Sequence, residues 1–406
     1  MKIAVVCKSD AVGGAAIVSR RLTEALRQEG EDASLLVLDK RSAEDFVVPY
    51  GNPLKEKFTA AADRLPVLLG NGFSIKNIWK TDAGSFGLPL WKHTLVKEAD
   101  AVILNWTNQG MLSLKGLRRL CAMRKKIVCI MHDMWPMTGI CHYSLDCENY
   151  RQECGDCPFL GRAASPHDLS FRTWRRKLHI YDRANISFVA VSRWLADCAH
   201  ASSLLRERPI HVIPNAFNPI PADFPEREGS PAILFPAASL DNWIKGLDTF
   251  IEVIGILRTE YPGLGDVRPL FLGSCRNPGS LPGEYLGMVT DERRLAQIYG
   301  SCDVVVNCSE FENLPGTLVE AQAYGAVPVA FDRGGQSDII SHLSTGYLAP
   351  WSDALPKRAA AIADGIAWAL SRTPQEKKSM RRRMLSNVVD RFGYKAVASR
   401  ILALLK

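Results

Sequence analysis

The sequence predicts an α/β protein built from two doubly wound domains, and three observations carry that prediction. Short β-branched runs alternate with helix-period stretches from one end of the chain to the other, the pattern of parallel sheets with helices on both faces. At about 150 residues per domain, 406 residues allow two or three domains. A proline-punctuated stretch of low periodicity, Asn215–Ser230, separates two series of strands and reads as the linker.

The first series opens with Lys2–Cys7, then a Gly-containing loop and a helix over Ala15–Glu29 that stops at Gly30. Further strands are expected at Ala33–Leu38, Ala101–Asn105, Lys126–His132, Ile186–Ser192 and His211–Pro214. The second series runs through Ala232–Pro236, Leu270–Gly273, Val304–Asn307 and Val327–Phe331, with helices over Gly246–Arg258 and Gly316–Tyr324 between them. The expected division is residues 1–214, then 215–390, then a terminal helix within 391–406 that returns to the first domain.

Composition narrows the class. Hydrophobic residues at 47% and charged residues at 23% exclude a disordered chain, and no apolar run reaches the ~18 residues a membrane span needs. The apolar run Ile3–Cys7 is too short for an export signal, so a cytoplasmic protein with reduced thiols is expected. A net charge of +7 suits anionic ligands or an anionic membrane face and falls short of a nucleic-acid signature.

In doubly wound sheets ligands sit beyond the carboxyl ends of the strands. After Val304–Asn307 comes a loop with Glu312, then Pro315-Gly316-Thr317-Leu318 opening a helix that carries Glu320. A helix N-terminus with free amides takes a phosphate, and carboxylates nearby suit hydroxyl pairs of a ribose or a sugar ring. Together they describe a nucleotide sugar. The Glu312/Glu320 spacing resembles the E-x7-E motif of retaining GT-B glycosyltransferases of the GT4 type. The resemblance continues through Val327-Pro328-Val329, Gly334-Gly335, Asp338-Ile339-Ile340 and Gly346-Tyr347-Leu348, with Lys245-Gly246 like the family's phosphate-binding lysine. It implies a GT-B fold, two Rossmann-like domains facing a cleft, and sugar transfer from a UDP- or GDP-sugar with retention.

By that resemblance Glu312 contacts the donor sugar, Glu320 the ribose and Lys245 the diphosphate, while amides around Gly316, Thr317 and Leu318 hold the leaving group. No Asp-x-Asp pair occurs, so no cofactor is expected in catalysis. One departure stands out: the family often has an arginine shortly before this lysine, and Ala237–Ile244 has none. Arg276 and Arg333 are the candidate substitutes. The departure also keeps open a non-catalytic nucleotide-sugar-binding protein, beside another GT-B enzyme such as an epimerase or phosphorylase.

On the first domain, Gly13-Gly14 follows the first strand and is expected to border the donor. His132 follows a strand and is either a catalytic candidate facing the cleft, where it can donate to a sugar hydroxyl or phosphate, or a structural histidine bonded to a neighbouring turn. Asn105, Trp106 and Asn108 are acceptor-side candidates. The insertion at 139–160 holds Cys141, Cys147, Cys154 and Cys157, closing with Cys-x2-Cys, and resembles that of colanic-acid-type exopolysaccharide transferases. Its thiols are either free or ligands of a structural zinc. Phe171, Trp174, Leu178 and Tyr181 recur at helical spacing among Arg172, Arg175, Arg176 and Lys177; the stripe either packs on its own domain or lies on a membrane, as does the Arg381–Arg383 cluster. A saccharide or polyprenyl-linked acceptor at the inner membrane face would make such clusters useful.

Overall fold

The computed structural model describes residues 1–51, 53–219 and 229–406. The chain divides into two compact units, one of residues 1–216 with 394–406 and one of residues 217–393. Of the expected linker, residues 220–228 lie outside the described residues.

The first unit holds seven strands: β1 (Lys2–Ser9), β2 (Asp32–Asp39), β3 (Val47–Pro49), β4 (Ala101–Leu104), β5 (Lys126–Met131), β6 (Ile186–Ala190) and β7 (Ile210–Val212). They pair in parallel in the order β3-β2-β1-β4-β5-β6-β7, so the topology reverses between β1 and β4. The run Ile3–Cys7 is buried along its whole length, as a central strand covered on both faces must be. The terminal helix Tyr394–Leu405 belongs to this unit, and its Tyr394 hydroxyl donates to Glu24 on the helix Gly14–Gln28.

The second unit holds six parallel strands, β8 (Ala232–Ser239), β9 (Arg268–Ser274), β10 (Glu284–Gly287), β11 (Val304–Asn307), β12 (Val327–Phe331) and β13 (Tyr347–Ala349). Their order is β10-β9-β8-β11-β12-β13, with the reversal between β8 and β11. Its core is aromatic: Phe235 stacks on Phe250 at 4.9 Å, and Phe271 meets both edge-on. Each such ring, fully buried, contributes about 1.5–3 kcal/mol.

Three short strands, β3, β10 and β13, were not expected. Two of them are three residues long and one four, too brief to show a period, and β3, β10 and β13 each pair on one side only. The aromatic helix Leu169–Tyr181 resolves its two readings. Phe171, Trp174 and Tyr181 are buried within the first unit, and Lys177, counted among the solvated basic residues, is itself fully buried. Its apolar stripe is core, and it does not lie on a membrane.

Candidate active site

The reversal of the second sheet gathers the residues that the sequence singles out there. Lys245 lies in the loop after β8 and Glu312 in the loop after β11, the two strands that flank the switch point where open α/β sheets bind ligands. Lys245 Nζ donates to Glu312 Oε1 at 2.5 Å, with both side chains reaching solvent in part.

Two glycines make this approach feasible. Gly246 takes φ +71°, and a β-carbon there would stand 2.3 Å from the carbonyl oxygen of Cys308. Gly334 takes φ +63°, and a β-carbon there would meet the Glu312 carbonyl at 2.5 Å. Backbone bonds complete the clamp: Glu310 N to Ile244 O and Gly335 N to Glu312 O, both 2.9 Å. The Glu312 loop is therefore held between the Lys245 loop and the Gly334–Gln336 turn.

The helix Gly316–Ala323 starts directly behind, with Pro315 as its cap and no side chain satisfying its first amides. Among the described residues, the amides of Gly316 and Thr317 meet no acceptor, and Thr317 Oγ1 is buried without a partner. Leu318 differs from its expected role. Its side chain is fully buried and its amide bonds Pro315 O, so it offers a ligand nothing. Glu320 sits on the same helix, half-buried. Of the candidate cations, Arg333 stacks over Phe311 at 5.0 Å and Trp351 at 4.4 Å, next to Glu312 in the same unit. For Arg276 the structure ties only the backbone, to Asp241.

The first unit presents a different constellation. Gly13, at φ +88°, caps the helix that Gly14 begins, directly after β1. His132 Nε2 donates to Asn105 Oδ1 at 2.8 Å, and burial pushes its pKa down to about 4, so the ring is neutral near pH 7. Trp106 Nε1 donates to Asp133, which also accepts from His142 Nδ1 and the Trp135 amide. These donors hold the Asp133 carboxyl below the usual range against the opposing effect of burial. Nδ2 of Asn105 and of Asn108 are buried and unpartnered among the described residues.

Sequence reasoning missed Asp133, His142 and Lys177, the last of which donates to the carbonyls of Trp135 and Thr138 and lies over the Trp135 ring. For Lys177 the available signal was its place on the apolar stripe of its helix. The four insertion cysteines line one cavity and are all free thiols. Burial pushes Cys154 up to about 11 and Cys157 up to about 12. Among the described residues no three His, Cys, Asp or Glu side chains are gathered as metal ligands.

Two parallel doubly wound sheets, each with loops of polar residues at its switch point, define a GT-B protein. Residues 12–219 match the family model described as Glycosyltransferase Family 4, and residues 230–371 that of Glycosyl transferases group 1. The chain belongs to glycosyltransferase family 4. It is 27% identical over 272 residues to a protein of Escherichia coli (strain K12) assigned as the colanic acid biosynthesis glycosyl transferase WcaC, covering 61% of this chain and 64% of that one. It is 31% identical over 163 residues to a glycogen synthase of Rhodopseudomonas palustris (strain HaA2), covering 35% of this chain and 34% of that one. The match thus spans less than two thirds of either relative's length. Among solved structures, HepE of Anabaena in complex with UDP and glucose aligns at TM-score 0.59 and 15% identity, covering 100% of this chain and 99% of that one. A glycosyltransferase from Rickettsia africae ESF-5 aligns at 0.63 and 14%, covering 100% and 97%. At such identities the likeness is one of fold.

Proposed function

We propose that the protein transfers a sugar, with retention, from a UDP-sugar to a saccharide acceptor carried on a lipid, in the assembly of a cell-surface polysaccharide. The observation that carries this reading is the Lys245–Glu312 pair beside the open amides of Gly316 and Thr317, all within the second unit. Departure of a nucleoside diphosphate builds negative charge, and a fixed cation with preorganised amides is the arrangement that stabilises it. In the resting protein Glu312 keeps Lys245 in place; a bound diphosphate takes over the ammonium and frees the carboxylate for the donor sugar. Glu320, within the same helix, takes the ribose. The unpartnered amides of Asn105 and Asn108 suit the hydroxyls of an acceptor. UDP is favoured over GDP because HepE of Anabaena has been solved with UDP and with UDP-glucose.

A thermal-shift screen against UDP, GDP and their common sugars tests the donor; saturation at 100 times the dissociation constant adds about 2.7 kcal/mol. Calorimetry with UDP then separates the carboxylates. Glu320→Ala should weaken UDP by ~1.5–3 kcal/mol, the worth of a charge-assisted hydrogen bond, and Glu312→Ala should leave it nearly unchanged. The opposite result reverses the two roles.

A further inference from the structure

One feature of the first unit has no part in this chemistry. The helix Pro53–Gly70 and the turn after it expose Phe58, Leu65, Leu69, Phe73, Ile75 and Trp79, each by half or more, and Ile75 by 80%. Phe58, Leu65 and Leu69 fall at intervals of seven and four, so they share one helix face. The opposite face is core, where Val67 packs with Ile140, Cys141, Cys157 and Phe159 of the cysteine-rich insertion. The apolar side chains cannot simply fold inward. Arg64 is buried and ties the helix to the turn through Ile78 O, Thr81 O and Asp82. Asn77 Nδ2 bonds Phe159 O at 3.3 Å, and Asn71 Nδ2 bonds Lys76 O. Phe73 itself sits at φ +64°, a costly conformation for an aromatic residue that the turn nonetheless holds.

Among the described side chains the exposed charges of residues 57–80 have one sign. Lys57, Lys76 and Lys80 are exposed, and the only acid between residues 57 and 80, Asp63, is buried and engaged by the amides of Ser85 and Phe86. Exposed aromatic and aliphatic side chains beside lysines, with no outward carboxylate among the described side chains of residues 57–80, match the headgroup region of an anionic bilayer. No helix among the described residues is long and apolar enough to cross a membrane. We propose that this face, helix 53–70 with the turn 71–80, docks the protein on an anionic lipid surface. The cysteine-rich insertion is then the platform that holds the face outward. Membrane contact is thus placed on this segment and not on the helix Leu169–Tyr181.

The test is co-sedimentation of the full chain with vesicles of phosphatidylcholine alone and of phosphatidylcholine with phosphatidylglycerol. Binding is expected only to the anionic vesicles, weakening as salt is raised. The double variant Phe73→Asn/Ile75→Ser should lose at least tenfold in vesicle affinity, as should Lys57→Glu/Lys76→Glu. All four positions are exposed, so melting temperature and UDP binding should be unaffected, which separates failure here from failure of the transfer reading. Equal binding by variants and parent, or no binding to either vesicle, overturns the proposal. So does a concentration-dependent dimer that Phe73→Asn/Ile75→Ser abolishes, which would assign the face to a second copy of the chain.

Discussion

The carboxyl edges of the two sheets carry polar residues of similar kinds, and the two units use their charged groups differently. In the second unit Lys245 and Glu312 meet in a partly solvated pair, beside amides and a hydroxyl that meet no partner. In the first unit Asp133 spends its lone pairs on Trp106, Trp135 and His142, and His132 is taken up by Asn105, so the capacity left among these residues lies in neutral amides, Nδ2 of Asn105 and of Asn108. A polar group already satisfied by its neighbours stabilises the fold, whereas one left with capacity is available to a ligand. Position after a strand is therefore insufficient to mark a functional residue. What its neighbours have already claimed decides between binding and structure.

The largest effect that tests this contrast is on stability. Asp133→Ala leaves the buried donors of Trp135 and His142 and the half-buried Trp106 ring nitrogen without this acceptor, and removing one partner from a buried charged network costs about 3–5 kcal/mol. Denaturant unfolding should show that loss, while UDP affinity, measured well below the melting temperature, stays at the parent value. Loss of UDP binding with stability intact would move Asp133 into the ligand site and erase the distinction between the two edges.

Lys245→Ala should do the reverse. Its ion pair is partly exposed, so stability should change by less than about 1 kcal/mol. On the proposed transfer reading, activity should fall by roughly 10²–10³ in kcat/KM, equivalent to about 2.7–4 kcal/mol, because the leaving group would lose its cation. Steady-state kinetics on a UDP-sugar, set beside a melting curve, reads both. A variant that melts early and turns over normally would make the pair structural.

How much of this the sequence carries depends on the range of the interaction. β11, Val304–Asn307, and β12, Val327–Phe331, match expectation to the residue, because buried parallel strands are continuous apolar runs bounded by turn residues. Glu312 and Glu320 stand out through the spacing of one motif and Lys245 through a separate short resemblance, and the meeting of Lys245 with Glu312 follows from β8 and β11 being neighbours, which no local pattern shows. The Asp133–His142 contact spans nine residues of irregular chain, where no period exists to read. Lys177 was misread because a lysine on an amphipathic helix is ordinarily solvated. Helix 53–70 went unassigned: its outward Phe58, Leu65 and Leu69 blur the polar face by which an amphipathic helix is recognised.

The smallest effect sharpens the comparison through pH. Burial lowers the His132 pKa to about 4, against about 6.5 for an unfolded chain. Between those values the unfolded state binds a proton that the native state refuses, so stability must fall as pH drops from about 6.5 to about 4. Above that window the histidine is neutral in both states and contributes no slope; below it, both states are protonated. The shift corresponds to a few kcal/mol at ~1.36 kcal/mol per unit, with the measured loss expected on the order of 2 kcal/mol. Asp133 titrates lower still, since its folded pKa lies under the carboxylate value, so its own acid loss begins where that of His132 is ending. Urea midpoints from pH 7 to pH 4.5 should therefore decline more steeply in the parent than in His132→Gln, which keeps a donor for Asn105 and has no proton to take up. Coincident slopes would show that His132 takes up its proton in the folded protein as readily as in the unfolded chain, and its bond to Asn105 would then not hold the ring neutral.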